Sequence, residues 1–281
     1  MLKALFVSIF LTVGFSQLAF AQNFDPLDLL TSGDVKSVEK FYSSLQSKFD
    51  SGAATEYDLL DAYKAFYQTD DKYRVQLANW IKTFPKSPSA YLARGIYYRK
   101  LGEHKRGEQY ISQTPTENLT YMEQMFKLAQ SDLEISLQLN SRSYLSVLHL
   151  LNIAQFRGDT TAATKYLDLG KTILPTNFLL RARYLIQLAP RWGGSYESMD
   201  LFIRNCRSEG APQKTIDLLN AIRLNDSGEF AQEKGMPQAL TDYVNALTLS
   251  RAADRRFRQD YLGYSLRICA NSNYSAQDYC R

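Results

Sequence analysis

The sequence predicts an all-α fold built from antiparallel helix pairs. Apolar residues recur at helical spacing along most of the chain, strand-like alternation is weak, and glycine and proline fall between the helical runs. Two helix ends, Asn140 and Pro175, are 35 residues apart, a period found in stacked helical repeats. We therefore expect one continuous superhelical domain over residues 22–281.

The individual helices follow from apolar stripes and from the breaks between them. Val35, Val38, Tyr42 and Phe49 form one stripe of the first helix. The predicted helices cover residues 34–49, 55–67, 72–84, 89–101, 119–139, 144–157, 160–173, 177–188, 196–207, 212–224, 236–249 and 252–269. The polar stretch 103–117 is predicted to be a loop or a short helix. The polar stretch 225–234 is predicted to be a connection between helices.

Local signals mark several helix boundaries. Thr55 with Asp58 three residues later is a capping-box pattern, and Ser87 precedes a helix-starting proline. Glycines after residues 101 and 157 indicate helix ends. The unit 142–175 is the most regular one, with two amphipathic runs separated by Gly158.

The first 21 residues are predicted to be a signal peptide. Lys3 precedes an apolar run over residues 4–18, and Ala19-Phe20-Ala21 has the small-x-small form of a cleavage site. A retained membrane anchor is the alternative, although the run is short for a span. The residue directly after Ala21 is not a cysteine, so the site for attaching a lipid anchor is absent. No later stretch is apolar enough to cross a bilayer, so we expect a periplasmic or secreted protein without a transmembrane span after cleavage.

Composition narrows the classes of function. A hydrophobic content of 45% and a charged content of 22% are ordinary for a folded protein. A net charge of +4 gives no case for nucleic acid as a partner, because nucleic-acid binding calls for a concentrated basic face. Exported proteins meet an oxidising compartment, so we expect a Cys269–Cys280 disulfide with Cys206 free, while pairing of Cys206 with either of the others stays open.

Parts of the chain resemble tetratricopeptide repeats. Gly95, Tyr98 and Gly102 match the small, aromatic and turn-glycine positions of the repeat's first helix. In the unit 142–175, the turn glycine, the small residue of the second helix and the closing proline are matched by Gly158, Ala163 and Pro175. The unit 142–175 departs from the pattern at Leu151 and Ala154. The resemblance implies an α-solenoid that binds a protein or peptide on its concave face.

A second resemblance concerns residues 87–95, 105–107 and 190–196, the last of which reads Pro-Arg-Trp-Gly-Gly-Ser-Tyr. These segments are similar to a bacterial family filed as a domain of unknown function, whose members are exported or cytoplasmic helical-repeat proteins. This resemblance implies a bacterial origin and a tetratricopeptide-like fold, and it brings no known activity.

The segment 190–196 is the most unusual stretch and has two interpretations. In the structural one, which we favour, Trp192 packs into the edge of the helix stack and Arg191 bonds to helix-end carbonyls. In the functional one, Arg191, Trp192 and exposed amides form a ligand-binding loop. Arg94, Lys105 and Arg106 form a second group, which in one interpretation caps helix ends and forms ion pairs with residues such as Glu103 or Glu108. In the other interpretation they join Arg99, Lys100 and Arg181 on a concave face that receives an acidic peptide.

The leading functional hypothesis is an exported, non-enzymatic scaffold that binds another polypeptide. His149 lies in an apolar run and is interpreted as a core residue, and neither histidine has a partner at metal-ligand or triad spacing. We expect no metal and no cofactor. The alternatives are an envelope hydrolase with distant carboxylates such as Glu123 and Asp132, and a structural module of an envelope assembly.

Overall fold

The chain is described by a computed structural model over residues 24–109, 111–253, 255–271 and 273–280, without the side chain of Arg256. All regular structure in these residues is helical, which confirms the predicted all-α class. The α-helices are α1 (Pro26–Ser32), α2 (Val35–Asp50), α3 (Glu56–Tyr63), α4 (Lys72–Thr83), α5 (Pro88–Arg106), α6 (Thr116–Leu139), α7 (Tyr144–Arg157), α8 (Thr160–Ile173), α9 (Leu179–Gln187), α10 (Tyr196–Ser208), α11 (Gln213–Glu233), α12 (Gln238–Leu249), α13 (Arg255–Tyr261) and α14 (Gly263–Ala270). Short 3-10 turns lie at Lys64–Phe66, Ile111–Gln113, Pro190–Trp192 and Asp278–Cys280.

Polar caps start the helices where the sequence predicts them. The Thr55 hydroxyl accepts the Asp58 N–H at 3.2 Å, and the Asp58 carboxylate accepts the Thr55 N–H at 2.7 Å, which completes the capping box. At α5, the Ser87 hydroxyl accepts the Ala90 N–H at 3.1 Å. These bonds satisfy N–H groups that have no partner inside their helices.

Helices α5 and α6 pack antiparallel and close together. The Ser136 hydroxyl donates to the carbonyl of Pro88 at 2.9 Å, at the start of α5 and near the end of α6. At the other end, a Cβ on Gly102 would lie 2.9 Å from the ring of Phe126. Residue numbers therefore increase along α5 while those of the contacting residues of α6 decrease, as in an antiparallel pair.

The predicted end of α5 at Gly102 is wrong, since the helix continues to Arg106. Gly102 is buried in the α5–α6 contact, where its missing side chain leaves room for Phe126. The helix ends instead at Gly107, which has a φ of +74°. The glycine at position 102 thus serves packing between helices and not the turn that the sequence pattern indicates.

Helices α7 and α8 have the bounds that the sequence predicts. Gly158 follows α7 with a φ of +68°, and the Asp159 carboxylate caps α8 by accepting the Ala162 N–H at 2.9 Å. Every residue of α7 from Tyr144 to Ala154 is buried, because α3, α5, α6, α8 and α9 all contact this helix. Helix α7 therefore lies at the centre of the apolar core.

Glu56, the first residue of α3, connects distant parts of the chain. Its carboxylate accepts the N–H groups of Phe178 at 2.7 Å and Leu179 at 3.1 Å, and also the hydroxyl of Tyr144. Burial raises the pKa of Glu56, while these three donors and the nearby Arg181 act in the opposite direction. The carboxylate thereby stabilises the start of α9 from 122 positions away. This contact differs from a simple repeat stack, in which each unit contacts only its neighbours.

The polar stretch 225–234 is not a connection, and that prediction is wrong: the residues continue α11 to Glu233. The Asn225 side-chain oxygen accepts the N–H and the hydroxyl of Ser265 at 2.9 and 2.7 Å. The Ser227 hydroxyl donates to the carboxylate of Asp242 at 2.8 Å. Polar side chains are buried inside this helix because α12 and α14 supply their partners.

The C-terminal part differs from its prediction in one further way. The single helix predicted for residues 252–269 is divided into α13 and α14 at Leu262, whose side chain is fully buried. Cys269 and Cys280 are bonded, with an S–S distance of 1.99 Å, and Cys206 is buried and free.

The expected signal peptide at residues 1–21, with its anchor alternative, lies outside the described residues. Within the described part of the chain, we find no helix that combines the length and the apolar character needed to cross a membrane.

Candidate functional site

The α9–α10 loop, residues 188–195, is shaped by its own backbone. Gly193 adopts a φ of +87°, a left-handed conformation that favours glycine. A Cβ on Gly194 would lie 2.1 Å from the carbonyl oxygen of Leu188, so the chain can pass here only without a side chain. The Ser195 hydroxyl accepts the Ser198 N–H at 3.1 Å and caps α10.

Arg191 fixes this loop to α11. Its guanidinium bonds to the carboxylates of Asp226 and Glu229, and not to the helix-end carbonyls that the sequence pattern predicts. The Tyr196 hydroxyl donates to the Asp226 carboxylate at 3.2 Å. Burial, followed by the charge of Asp226, raises the pKa of Tyr196. Arg191 is therefore engaged inside the fold.

Trp192 differs from the rest of the loop because its side chain is largely open to solvent. It is 57% exposed, so the expectation that it packs into the edge of the helix stack is wrong. Phe230, one residue after Glu229 on α11, is also exposed at 42%, and its ring centre lies 6.2 Å from that of Tyr196. A loop that Arg191 holds to α11 thus displays a large aromatic side chain to solvent.

The sequence-predicted cations of α5 have carboxylate partners within the fold. Arg94 forms a two-bond pair with Asp132 of α6, at 2.7 and 2.8 Å. Arg99 and Lys100 both bond to Glu103 of their own helix, the latter at 2.7 Å. Although burial opposes ionisation of Glu103, these two cations lower its pKa. The structure therefore distributes these side chains over separate ion pairs.

Arg181 is the most deeply buried of the predicted binding residues, at 2% exposure. One of its terminal nitrogens donates to the carbonyl of Asn177 at 2.7 Å. Burial raises the pKa of Glu56, and the positive charge of Arg181 partly offsets that increase. Arg181 consequently contributes to the internal network that connects α3 with α9.

His149 is fully buried on α7, which confirms its interpretation as a core residue. Neither ring nitrogen has a hydrogen-bond partner within the described part of the chain, and the ring meets that of Tyr67 edge-on at 6.2 Å. Burial, followed by the charges of Arg99, Lys100 and Arg183, lowers the pKa of His149 well below its ordinary value. The ring is therefore neutral in the folded protein at physiological pH.

The carboxylates named for the hydrolase alternative are both in ion pairs with arginine. Glu123 bonds to Arg157 at 2.9 and 3.0 Å, and Asp132 bonds to Arg94 as described above. Burial raises the pKa of Asp132, and Arg94 opposes that increase. In this arrangement each carboxylate stabilises a contact between helices.

A cleft between α10 and α11 was not foreseen from the sequence. It is lined by Asp200, Ile203, Arg204, Arg207 and Asn220. The signal that could have revealed it is the pair of arginines three residues apart on the polar side of an amphipathic helix. The pattern alone does not show whether such arginines have carboxylate partners, and that question decides their availability.

The described residues contain no group of three or more His, Cys, Asp or Glu side chains placed to hold a metal ion. In comparisons with known proteins, no family model, no curated protein and no solved structure matches the chain. The geometry of the described residues is therefore the basis for any proposal about function.

Proposed function

We propose that the chain is an exported, non-enzymatic scaffold of tetratricopeptide-like solenoid type that binds another polypeptide in the periplasm or outside the cell. The observation that carries this proposal is the exposure of Trp192 on a loop whose backbone and neighbouring arginine are fixed. Tryptophan is among the side chains that contribute most to binding energy at protein interfaces.

The rigidity of the loop supports the proposal. Gly194 packs against the Leu188 carbonyl, and Arg191 is bonded to two carboxylates of α11. A side chain presented by a fixed loop loses little conformational entropy when a partner covers it, so more of the contact energy appears as affinity. An exposed tryptophan on a mobile tail would lack this advantage.

The concave face remains the binding surface that the repeat resemblance implies. That expectation placed an acidic peptide on Arg94, Arg99 and Lys100, but these three side chains form ion pairs with carboxylates of the chain itself. Trp192 is therefore the residue on which we place the proposed partner contact, and the α9–α10 loop is part of the proposed binding surface.

The test is capture of a partner from an envelope extract by the mature protein, followed by mass spectrometry and an affinity measurement with the purified partner. Trp192→Ala is expected to weaken binding about 30-fold, which corresponds to about 2 kcal/mol. The melting temperature should change little, because the side chain is mostly exposed.

Val75→Ala on α4 is the matched control, since Val75 is 69% exposed and apolar. This variant should bind as the wild type does. Unchanged affinity in Trp192→Ala would refute the proposed contact. A loss of stability of about 3–5 kcal/mol in that variant would instead return Trp192 to a structural role.

A further inference from the structure

The cleft between α10 and α11 has a volume of about 180 Å³ and an uncommon distribution of charge. Asp200, its only lining carboxylate, is neutralised by Arg223 through two bonds of 3.0 and 3.2 Å. Arg204 and Arg207 are exposed, and the described residues place no carboxylate within 4.0 Å of either guanidinium. The cleft therefore carries two positive charges that no carboxylate of the described residues neutralises.

In this respect the two arginines differ from those that connect helices. Arg94, Arg157 and Arg191 are each bonded to a carboxylate of another helix. Arginine side chains that stabilise contacts between helices in this fold thus have fixed partners. Within the part of the chain that the structure describes, Arg204 and Arg207 have no such partner, although they line a depression in the surface.

The Cβ spacing of the two arginines is close to the spacing of alternate residues in an extended chain. Side chains three positions apart on a helix have Cβ atoms about 5–6 Å apart. Alternate side chains on one face of an extended strand are about 6.6 Å apart, from a rise of about 3.3 Å per residue. A guanidinium binds a carboxylate through two parallel hydrogen bonds.

The surroundings of the cleft suit a polypeptide. Ile203 contributes an apolar side chain to its lining, and Leu201 on the same helix is 52% exposed. Trp192 precedes α10, and Arg204 lies eight residues into that helix, which is about 12 Å along its axis. Trp192 and the cleft therefore belong to the same loop–helix segment of the chain.

We propose that this cleft binds two acidic side chains of an extended polypeptide, one on Arg204 and one on Arg207. The inference rests on the proposed function and specifies it, because it assigns alternating acidic residues to the partner segment. The attraction between opposite charges would also orient the partner before the aromatic contact forms.

The probe for the test is a fluorescein-labelled peptide of alternating glutamate and serine, titrated with the full chain and followed by fluorescence anisotropy. A peptide of alternating glutamine and serine reports binding without charge. Wild type should prefer the glutamate peptide, and Arg204→Gln with Arg207→Gln should weaken that binding at least about 10-fold. Binding should also weaken as ionic strength rises.

The matched control is Arg251→Gln with Arg255→Gln, which removes two exposed positive charges from another part of the chain. An equal loss in this control would show a general charge effect and overturn the proposal. Equal affinity for both peptides would do the same. Competition by inorganic phosphate as strong as that by unlabelled glutamate peptide would identify a phosphate site in place of an acidic-peptide site.

The same variants separate this inference from the proposed function. The short glutamate peptide has no residue for Trp192, so its binding tests the cleft alone. A captured partner that is lost by Trp192→Ala and retained by the double arginine variant would leave the scaffold function standing and refute the cleft. Loss in both variants is the outcome that we expect.

Discussion

Replacing His149 by phenylalanine is expected to make the protein more resistant to unfolding by acid. The imidazole is fully buried and both of its nitrogens lack partners in the described residues. After burial, the charges of Arg99, Lys100 and Arg183 are the main causes of its lowered pKa. Two of these cations, Arg99 and Lys100, are bonded to the carboxylate of Glu103. The folded state therefore resists protonation of this ring.

The sign and size of the effect follow from the difference in bound protons. In the unfolded chain His149 has an ordinary pKa of 6.5. Below that pH the unfolded state binds a proton that the folded state does not, so the free energy of unfolding decreases as pH falls. At pH 5 the loss is at most about 2 kcal/mol, from about 1.4 kcal/mol per pH unit below the unfolded-state pKa. For a chain of this size, a loss of about 2 kcal/mol lowers the melting temperature by about 4–8 °C.

The assay is urea unfolding at pH 7.5 and pH 5, followed by circular dichroism. The free energy of unfolding of His149→Phe, relative to that of wild type, should be higher at pH 5 than at pH 7.5, by at most about 2 kcal/mol. His104→Gln is the control, because His104 is the only other histidine and is exposed. Its stability should follow that of wild type at both pH values. Parallel pH dependence in wild type and His149→Phe would refute the reasoning.

Two further predictions concern contacts between distant segments. Glu56→Gln should lower the free energy of unfolding by about 2–4 kcal/mol. The glutamine amide cannot accept all three bonds of the carboxylate, so a buried N–H near Phe178 loses its partner. A denaturant midpoint equal to that of wild type would contradict this. Gly194→Ala should cost about 1–3 kcal/mol, since its Cβ would meet the Leu188 carbonyl at 2.1 Å. The control is Gly263→Ala, which has open space around the added Cβ, and equal melting temperatures for the two glycine variants would contradict the prediction.

The candidate site shows where inference from the sequence stops. The unusual composition of residues 190–196 identified the α9–α10 loop, and Ser195 caps α10 as its position suggests. The exposure of Trp192 could not be predicted, since it depends on α11 holding Arg191 beside it. The availability of Arg204 and Arg207 depends in the same way on which carboxylates the fold brings near them.

By itself the sequence determined the helices whose signals lie within a few residues of one another. Gly158 and Asp159 separate α7 from α8 by backbone conformation and capping, both of which act locally. Only the tertiary structure decided that Gly102 and Asn225 lie inside helices. Whether a glycine or a polar side chain is tolerated there depends on the helix that packs against it: Phe126 fills the space beside Gly102, and Ser265, 40 positions away, satisfies Asn225.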